Sequence, residues 1–239
     1  LKGIARNRGF EFMIPPGSAF GTRDLMVRQD GTNIYDIFDL SDNNYGLQVN
    51  QVCMERMHTF DEELFNNCPD NVDLLGYYQT HKYFQHIESE IRSDFKFQTD
   101  LFETCSDFMK DNFVYRDVIS LHVRRGDPNL TDKRGFKWAY VNLQDQHPTQ
   151  PIEYYEEALT YFPDDMPVLV FSDSIEWCKD QDIFAPDRFM FSEPEDTYDD
   201  GALVPYIDLC LMSLCSHAII ANSSMSWWGA WLQSNPHKR

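Results

Sequence analysis

The chain has 239 residues, of which 42% are hydrophobic and 15% aromatic, enough for one large core or two small ones. Its formal net charge of −19 and isoelectric point near 4.5 argue against nucleic acid or an anionic membrane surface as the main partner. No apolar run in the sequence approaches the length of a transmembrane helix.

The cysteines do not form a disulfide framework in sequence, because their spacing is irregular and none belongs to a Cys-x-x-Cys motif. The six are Cys53, Cys68, Cys105, Cys178, Cys210 and Cys215. The simplest inference is a protein of a reducing compartment.

The first half of the chain, residues 1–116, carries short and scattered elements. Residues 1–8 are typical of the end of a helix, with Gly9 as the residue that terminates it. Strands are predicted at residues 10–14 and 34–38, and a helix at residues 99–111.

The second half, residues 117–239, alternates strands with helices, which favours an α/β fold with a parallel, doubly wound sheet. The predicted strands are residues 117–124, 167–171, 188–191 and 217–221. The predicted helices are residues 152–161, 174–181, 202–215 and 225–232. Residues 126–150 are polar and are predicted to form a long loop, which in a compact domain is usually functional.

The strand at residues 117–124 ends in two adjacent arginines, Arg124 and Arg125, followed by Gly126 and Asp127. Charged side chains directly after a buried strand stand at the carboxyl edge of a parallel sheet, where ligands bind. Two guanidinium groups there suit a phosphate or diphosphate, because each can donate two parallel hydrogen bonds. The alternative is a pair of surface arginines in an ordinary turn.

The strand at residues 167–171 is followed by Ser172, Asp173 and Ser174 at the start of a helix. Asp173 is placed to accept hydrogen bonds from a base or a ribose, or simply to cap that helix. From this segment alone, the cap is the favoured interpretation.

A third polar segment, Asn222, Ser223 and Ser224, separates a strand from a helix, and Ser226 lies in the first turn of that helix. Free backbone N–H groups, the positive end of the helix dipole and hydroxyl donors together make an anion site. Plain capping is the alternative, but capping needs one Ser or Asn, and this segment offers four in five positions.

Taken together, these segments resemble the three motifs of the alpha-1,2-fucosyltransferases, glycosyltransferase family 11. The matching stretches are His-Val-Arg-Arg-Gly-Asp at residues 122–127, Phe-Ser-Asp-Ser-Ile-Glu-Trp-Cys-Lys at 171–179, and Ala-Asn-Ser-Ser-Met-Ser-Trp-Trp-Gly-Ala-Trp at 221–231. The first box is shared with fucosyltransferases of other linkages, whereas the third is more specific. Residues 76–84 also resemble the family's Gly-Tyr-x-Gln-x-x-x-Tyr-Phe segment.

The resemblance implies a GT-B-like fold of two Rossmann-like lobes with the donor lobe C-terminal. Residues 1–116 would form an incomplete acceptor-side lobe, and residues 117–239 the lobe that binds GDP-fucose. The family's usual N-terminal Gly-rich loop and final strand are absent from the sequence, so we expect the chain to be truncated at both ends.

The resemblance also assigns roles to single residues. Among the expected catalytic residues, Arg124 holds the diphosphate, Arg125 supports it or braces the loop, and Asp127 orients both arginines through a carboxylate–guanidinium pair. His122 and Asp173 are expected to contact the guanine. The remaining donor-binding residues, expected at the phosphates and ribose, are Asn222, Ser223, Ser224 and Ser226.

The expected chemistry needs no metal and no cofactor besides the donor, because fixed hydrogen-bond donors can stabilise the charge that grows on departing GDP. The only Asp-x-Asp pattern, Asp180 to Asp182, is interpreted as a solvated helix end. His81 and His86 are interpreted as packing or acceptor-contacting residues. No general base is identifiable; the candidates are Asp24, Asp36, Asp39, Glu193 and Glu195.

The expected activity is therefore inverting transfer of L-fucose from GDP-β-L-fucose to the 2-hydroxyl of a galactose-terminated glycan. Two alternatives stay open: a related fucosyltransferase of another linkage, or a non-catalytic GDP-sugar-binding protein. The expected location is the cytoplasm or the membrane periphery in a microbe, and the Golgi lumen in an animal.

Overall fold

The computed structural model describes residues 1–13, 37–40, 51–56, 59–114, 116–126, 148–193 and 205–239. The chain divides into two compact units, Leu1–Gln98 and Thr99–Arg239. In the part of the chain that the structure describes, no helix is long and apolar enough to cross a membrane.

The first unit contains a strand–helix–strand arrangement in which the two strands are parallel. Strand β1 (Val52–Met54) pairs with β2 (Asp73–Leu75), and helix α2 (Glu62–Asn67) lies between them in sequence. The unit also contains helices α1 (Lys2–Arg8) and α3 (Glu88–Asp94) and the 3₁₀ turns His81–Tyr83 and Gln85–Ile87. Neither β1 nor β2 was predicted, because three-residue strands are too short for a periodic pattern.

Helix α1 ends where the sequence predicted, at Gly9, which has a left-handed φ of 72°. The N–H of Phe10 donates back to the carbonyl of Ala5, and that of Gly9 to Arg6, which completes a Schellman-type end. The strand predicted at residues 10–14 is therefore wrong for the described residues 10–13, since Phe10 belongs to the helix terminus. Of the strand predicted at residues 34–38, residues 34–36 lie outside the described residues, and Phe38 forms only an isolated bridge with Phe97.

A buried network around Asp61 fixes the start of α2. The Asp61 carboxylate accepts from the Leu64 N–H at 2.9 Å and forms a two-point ion pair with Arg56. The Tyr83 hydroxyl accepts from the Asp61 N–H at 2.8 Å and donates to Glu55 at 2.9 Å. The Arg56 bonds and the helix N–H hold the pKa of Asp61 well below its usual range. This network ties α2 to the β1 end and to the first 3₁₀ turn.

The second unit confirms the predicted alternation of strands and helices and the parallel sheet. Its elements are α4 (Thr99–Phe113), β3 (Ile119–Val123), α5 (Ile152–Leu159), β4 (Val168–Ser172), α6 (Ile175–Lys179), a 3₁₀ turn (Asp182–Phe184), β5 (Phe189–Phe191), α7 (Pro205–Leu214), β6 (His217–Ile219) and α8 (Ser224–Leu232). The four parallel strands lie in the order β5-β4-β3-β6.

Helices cover both faces of this sheet. Alternate residues of β3 point to opposite faces, so their contacts show which helices cover each face. Ile119 and Leu121 join a core cluster with Tyr155 of α5 and Cys178 of α6. Ser120 points the other way, where the amide of Gln233 at the end of α8 donates to its hydroxyl at 3.2 Å. The same amide donates to the Met212 carbonyl of α7 at 3.0 Å. Because both faces are covered, every residue of β3 is buried.

The α/β class with parallel sheets is thus confirmed, whereas the two-lobed GT-B-like layout stays a prediction. Helix α4 packs on α7 and belongs to the second unit. The acceptor-side lobe at residues 1–116 and the donor lobe at 117–239 also stay predictions.

Gly3 of α1 lies against the backbone of Tyr83, so a larger residue cannot fit there. A Cβ at this position would lie 1.8 Å from the Tyr83 carbonyl oxygen. We expect Gly3→Ala to destabilise the first unit by at least about 2 kcal/mol. Hydrogen exchange of peptides from Leu1–Gln98 measures this. Gly9→Ala is the control: its Cβ would meet nothing within 4 Å, so only the left-handed backbone penalty of about 1 kcal/mol remains. Equal protection losses in both variants would contradict the steric argument.

Candidate functional site

Three predicted motif segments follow neighbouring strands and therefore lie at one edge of the sheet. β3 lies between β4 and β6, and all three run in the same direction. The chain steps from β3 outward to β4 and β5 and then returns to the other side of β3 with β6, so the strand order reverses between β3 and β6. Such a switch point at the carboxyl edge is where open α/β sheets bind ligands.

Asp173 binds the loop that follows β3. Its Oδ2 lies 3.0 Å from a guanidinium nitrogen of Arg124 and accepts the Gly126 N–H at 2.8 Å. Its Oδ1 accepts the Arg125 N–H at 3.0 Å. Gly126 has a φ of 75°, a left-handed conformation that glycine adopts without strain. The strand pairing explains why Asp173 contacts Arg124, because Val123 pairs with Ser172 and the residues that follow them are Arg124 and Asp173.

Arg124 thus forms a carboxylate–guanidinium pair with Asp173, a contact that was not predicted. Asp127, the acid expected in that role, lies outside the described residues. The guanine contact expected of Asp173 stays a prediction. The side chain of Arg124 is 27% exposed and that of Asp173 is 11% exposed, so the arginine retains access to a ligand while the acid is mostly enclosed. Charge-assisted bonds of this kind are about twice as strong as neutral ones.

Arg125 has a different environment from its neighbour. The central carbon of its guanidinium lies 3.8 Å from the ring centroid of Trp177, on α6. This cation–π contact contributes about 0.5–2 kcal/mol, depending on how far the pair is desolvated. The two neighbouring guanidinium groups therefore have different partners, Asp173 for Arg124 and the Trp177 ring for Arg125. The bracing role that was predicted as one option for Arg125 stays a prediction.

Beneath this loop, the buried hydroxyl of Tyr155 has no hydrogen-bond partner among the described residues. Burial raises the pKa of Tyr155. The charge of Asp173 raises this pKa further, whereas the charge of Arg125 lowers it. The next residue back, Tyr154, donates to the Ile220 carbonyl at 2.8 Å and so ties α5 to the segment after β6.

His122 is buried within β3, on the face that also carries Ser120. Burial, and secondarily the charge of Arg124, lowers the pKa of His122 to about 3. The imidazole is therefore neutral at physiological pH. Its Nδ1 has no hydrogen-bond partner in the described part of the chain, so the guanine contact predicted for His122 remains open to test.

The serines divide into two groups. The Ser226 hydroxyl is buried and donates to the carbonyls of Ala221 at 3.3 Å and Ser223 at 3.2 Å, so it closes the turn that enters α8. Ser223 is the N-cap residue, but its side chain makes no capping bond. Asn222 and Ser224 are exposed. The donor contacts of all four residues and the alternative of plain capping therefore both stay predictions.

The β3–β6 ladder places this segment near the arginine box. Leu121 pairs with Ile219 in the last pair of that ladder, so Arg124 and Asn222 each lie three residues beyond the last paired residue of their strand. Because neighbouring strands lie about 4.8 Å apart, the two segments begin close together at the same edge of the sheet.

The predicted general bases remain without support. Asp24, Asp36 and Glu195 lie outside the described residues, and the Lys179 ammonium lies 2.6 Å from Glu193. Asp39 lies in the first unit, where its N–H donates to the Lys96 carbonyl.

Asp180 is exposed at the end of α6, as predicted for a helix end. Within the described ranges, no group of three His, Cys, Asp or Glu residues is placed to hold a metal ion.

Asp208 is a residue that the sequence reasoning missed. It lies in the first turn of α7, and its carboxylate accepts from the Ser192 hydroxyl at 2.7 Å. Ser192 directly follows β5, so this acid also lies at the carboxyl edge of the sheet. Burial raises the pKa of Asp208 to about 7. The available signal was a single acid inside an otherwise apolar helix.

The sequence matches characterised proteins along most of its length. Residues 39–237 match the description of Glycosyl transferase family 11. The Escherichia coli O-antigen biosynthesis glycosyltransferase WbnK is 32% identical over 186 residues, which cover 72% of this chain and 55% of that protein. An Escherichia coli alpha-1,2-colitosyltransferase is 27% identical over 194 residues, 77% of this chain and 59% of that protein.

An animal relative matches as well: galactoside alpha-(1,2)-fucosyltransferase 1 of Saimiri boliviensis boliviensis, 25% identical over 187 residues, 74% of this chain and 47% of that protein. No solved structure matches the chain significantly. The chain spans about half the length of these curated relatives. With the family match covering most of its residues, the chain belongs to glycosyltransferase family 11.

His122 gives the second unit a defined acid sensitivity. Between the ordinary pKa of 6.5 and the native value of about 3, the unfolded chain binds a proton here that the native chain does not. The free energy of unfolding should therefore fall with decreasing pH in this window, by up to about 1.4 kcal/mol per pH unit from this group. His122→Gln should remove that component.

The measurement is urea unfolding at several pH values, followed by tryptophan fluorescence, because all five tryptophans lie in the second unit. The quantity to compare is the stability difference between variant and wild type at each pH. Exposed His237→Gln is the control. A difference that stays constant from pH 7 to pH 4 would show that His122 is not held neutral.

Proposed function

We propose that this chain carries the donor-binding part of a fucosyltransferase. L-Fucose would pass from GDP-β-L-fucose to the 2-hydroxyl of a galactose-terminated glycan, with inversion at the anomeric carbon. The observation that carries the proposal is Arg124, a partly exposed guanidinium held by Asp173 at the switch point of a parallel sheet. Family membership and the names of the relatives support the sugar and the linkage.

The proposed reaction has a simple balance of bonds. The acceptor oxygen forms a bond to the anomeric carbon of fucose while the bond from that carbon to the β-phosphate oxygen of GDP breaks. The bonding electrons leave with GDP, and the acceptor hydroxyl gives up its proton. Negative charge therefore grows on the diphosphate, and donors already fixed around it lower the barrier.

Arg124 is the residue best placed to meet that charge. Asp173 fixes its orientation before a ligand arrives, so little side-chain entropy remains to be lost on binding. The start of α8, a helix of nine residues, adds backbone N–H groups and the positive end of a dipole close by. Arg125, held on Trp177, would keep the loop in place.

The rest of the proposal follows the family. The second unit would belong to the donor lobe of a two-lobed GT-B-like enzyme, and the first unit to its acceptor side. The donor would be GDP-fucose, with no metal and no further cofactor required. The proton would go to a carboxylate or to the departing phosphate.

A second donor is favoured by one observation. The relative that is 27% identical is named an alpha-1,2-colitosyltransferase. Colitose is the 3-deoxy form of L-fucose, so a site for one sugar differs from a site for the other only near a single hydroxyl. The proposed nucleotide contacts would be the same for both donors.

GDP binding tests the nucleotide site directly. We expect calorimetric titration without added metal to show GDP binding to the wild-type chain. Arg124→Ala should weaken it by about 10- to 150-fold, the loss expected for a charged hydrogen bond. Arg188→Ala is the matched control, because it removes the same charge at the amino end of β5 and should change affinity less than about twofold. Equal weakening by both variants would contradict a specific diphosphate role.

Transfer and linkage test the chemistry. The chain is incubated with GDP-fucose or GDP-colitose and a galactose-terminated acceptor such as lactose, and the product is analysed by NMR. We expect an α1,2 linkage to galactose, because the family motif is the most specific feature of the sequence. A different linkage would support the broader fucosyltransferase alternative. GDP binding without transfer to any acceptor would support a non-catalytic GDP-sugar-binding protein.

A further inference from the structure

A cleft of about 330 Å³ opens on the first unit, away from the nucleotide motifs in sequence. It is bordered by α1, α2 and the two 3₁₀ turns. The lining residues are Asn7, Phe60, Glu62, Phe65, Asn66, Lys82, Gln85 and His86. Its volume lies at the lower end of the ~300–1,000 Å³ typical of small-ligand sites.

Two phenylalanine rings give the cleft an aromatic wall that is fixed in place. The centroids of Phe60 and Phe65 lie 5.3 Å apart, and both rings pack on the buried ring of Tyr83, at 5.0 and 6.3 Å. Each phenylalanine is itself only partly buried, so part of its surface faces the opening. The His86 ring meets Phe65 edge-on at 5.4 Å and extends this wall to the rim.

The rest of the lining is polar but has no excess charge. Glu62 and Lys82 carry opposite charges, and the Lys82 ammonium lies 5.8 Å from the centroid of Phe60. Asn66 and Gln85 are exposed and offer amides that both donate and accept hydrogen bonds. This lining suits a neutral ligand rich in hydroxyl groups better than an anion, which would need a net positive site.

We propose that this cleft binds a neutral pyranose ring of the acceptor glycan. A pyranose has one apolar C–H face, which matches an aromatic wall, and a rim of hydroxyls that both donate and accept, which matches amide side chains. A lipid chain would leave the polar side chains without hydrogen-bond partners. The choice of a galactoside as the sugar rests on the proposed function; the cleft itself does not depend on it.

Saturation-transfer NMR tests this with methyl β-D-galactopyranoside and lactose as probes and the full chain as receptor. Mannitol, a polyol without a ring face, is the control ligand. We expect signals from the galactosides with millimolar affinity and none from mannitol. Asn66→Ala combined with Gln85→Ala should weaken galactoside binding about fivefold to tenfold, since two hydrogen-bonding amides are lost from an otherwise intact cleft.

The chain offers a closely matched control pair. Asn67 follows Asn66 in α2 and Gln79 precedes the 3₁₀ turns; both are exposed and neither lines the cleft. Asn67→Ala combined with Gln79→Ala should leave galactoside binding unchanged. GDP titration of each variant should also match the wild type, which separates this site from the nucleotide site.

Several results would overturn the inference. One is a chain that binds GDP but gives no galactoside signal, which leaves the donor proposal standing. Another is galactoside binding that Asn66→Ala with Gln85→Ala does not weaken, or equal binding of mannitol. A different result would separate the two proposals: the wild-type chain binds the galactosides but not GDP, and only Asn66→Ala with Gln85→Ala loses galactoside binding. That result would support the cleft and count against the proposed donor.

Discussion

The register between β3 and β4 is the constraint on which the site depends. It sets Val123 beside Ser172, and the next residues on the two strands are an arginine and an aspartate whose charged groups meet at 3.0 Å. The same aspartate then accepts two backbone N–H groups from the following loop. A loop that could otherwise take many conformations is thereby held at three points from a single side chain. The pairing of two buried strands thus determines the position of the Arg124 guanidinium.

Much of the second unit was predictable, because buried parallel strands are continuous apolar runs and each ends abruptly in polar residues. The contact between Asp173 and the arginine box was not predicted. Asp173 is 48 residues from Arg125 and reaches it through strand pairing, whereas the role expected of Asp127 stays a prediction. Pairing register is a tertiary property that no local pattern in one strand reveals. Asp208 likewise meets Ser192 only through a tertiary contact, and the three-residue strands of the first unit are too short to show a periodic pattern.

The two arginines show how neighbouring residues with the same chemistry come to do different work. Arg124 faces a carboxylate and is partly exposed, while the guanidinium of Arg125 lies over the ring of Trp177. Arginine is suited to both, because its planar group can form directed hydrogen bonds at its edge and stack by its face. Lysine has no planar group, so it would offer neither the edge nor the face of a guanidinium. The buried His122 is neutral and adds no positive charge to that of the two guanidinium groups.

The alternation of side chains along β3 has a consequence for how relatives of this chain can diverge. Removing one residue within the paired segment would bring Arg125 to the position from which Arg124 meets Asp173, and adding one residue would bring Arg124 to the position of Arg125 over Trp177. Substitutions can be absorbed one at a time, but such a change in length cannot. Insertions and deletions among family members should therefore be excluded from Ile119 to Gly126 and from Val168 to Asp173, however freely the connecting segments vary in length.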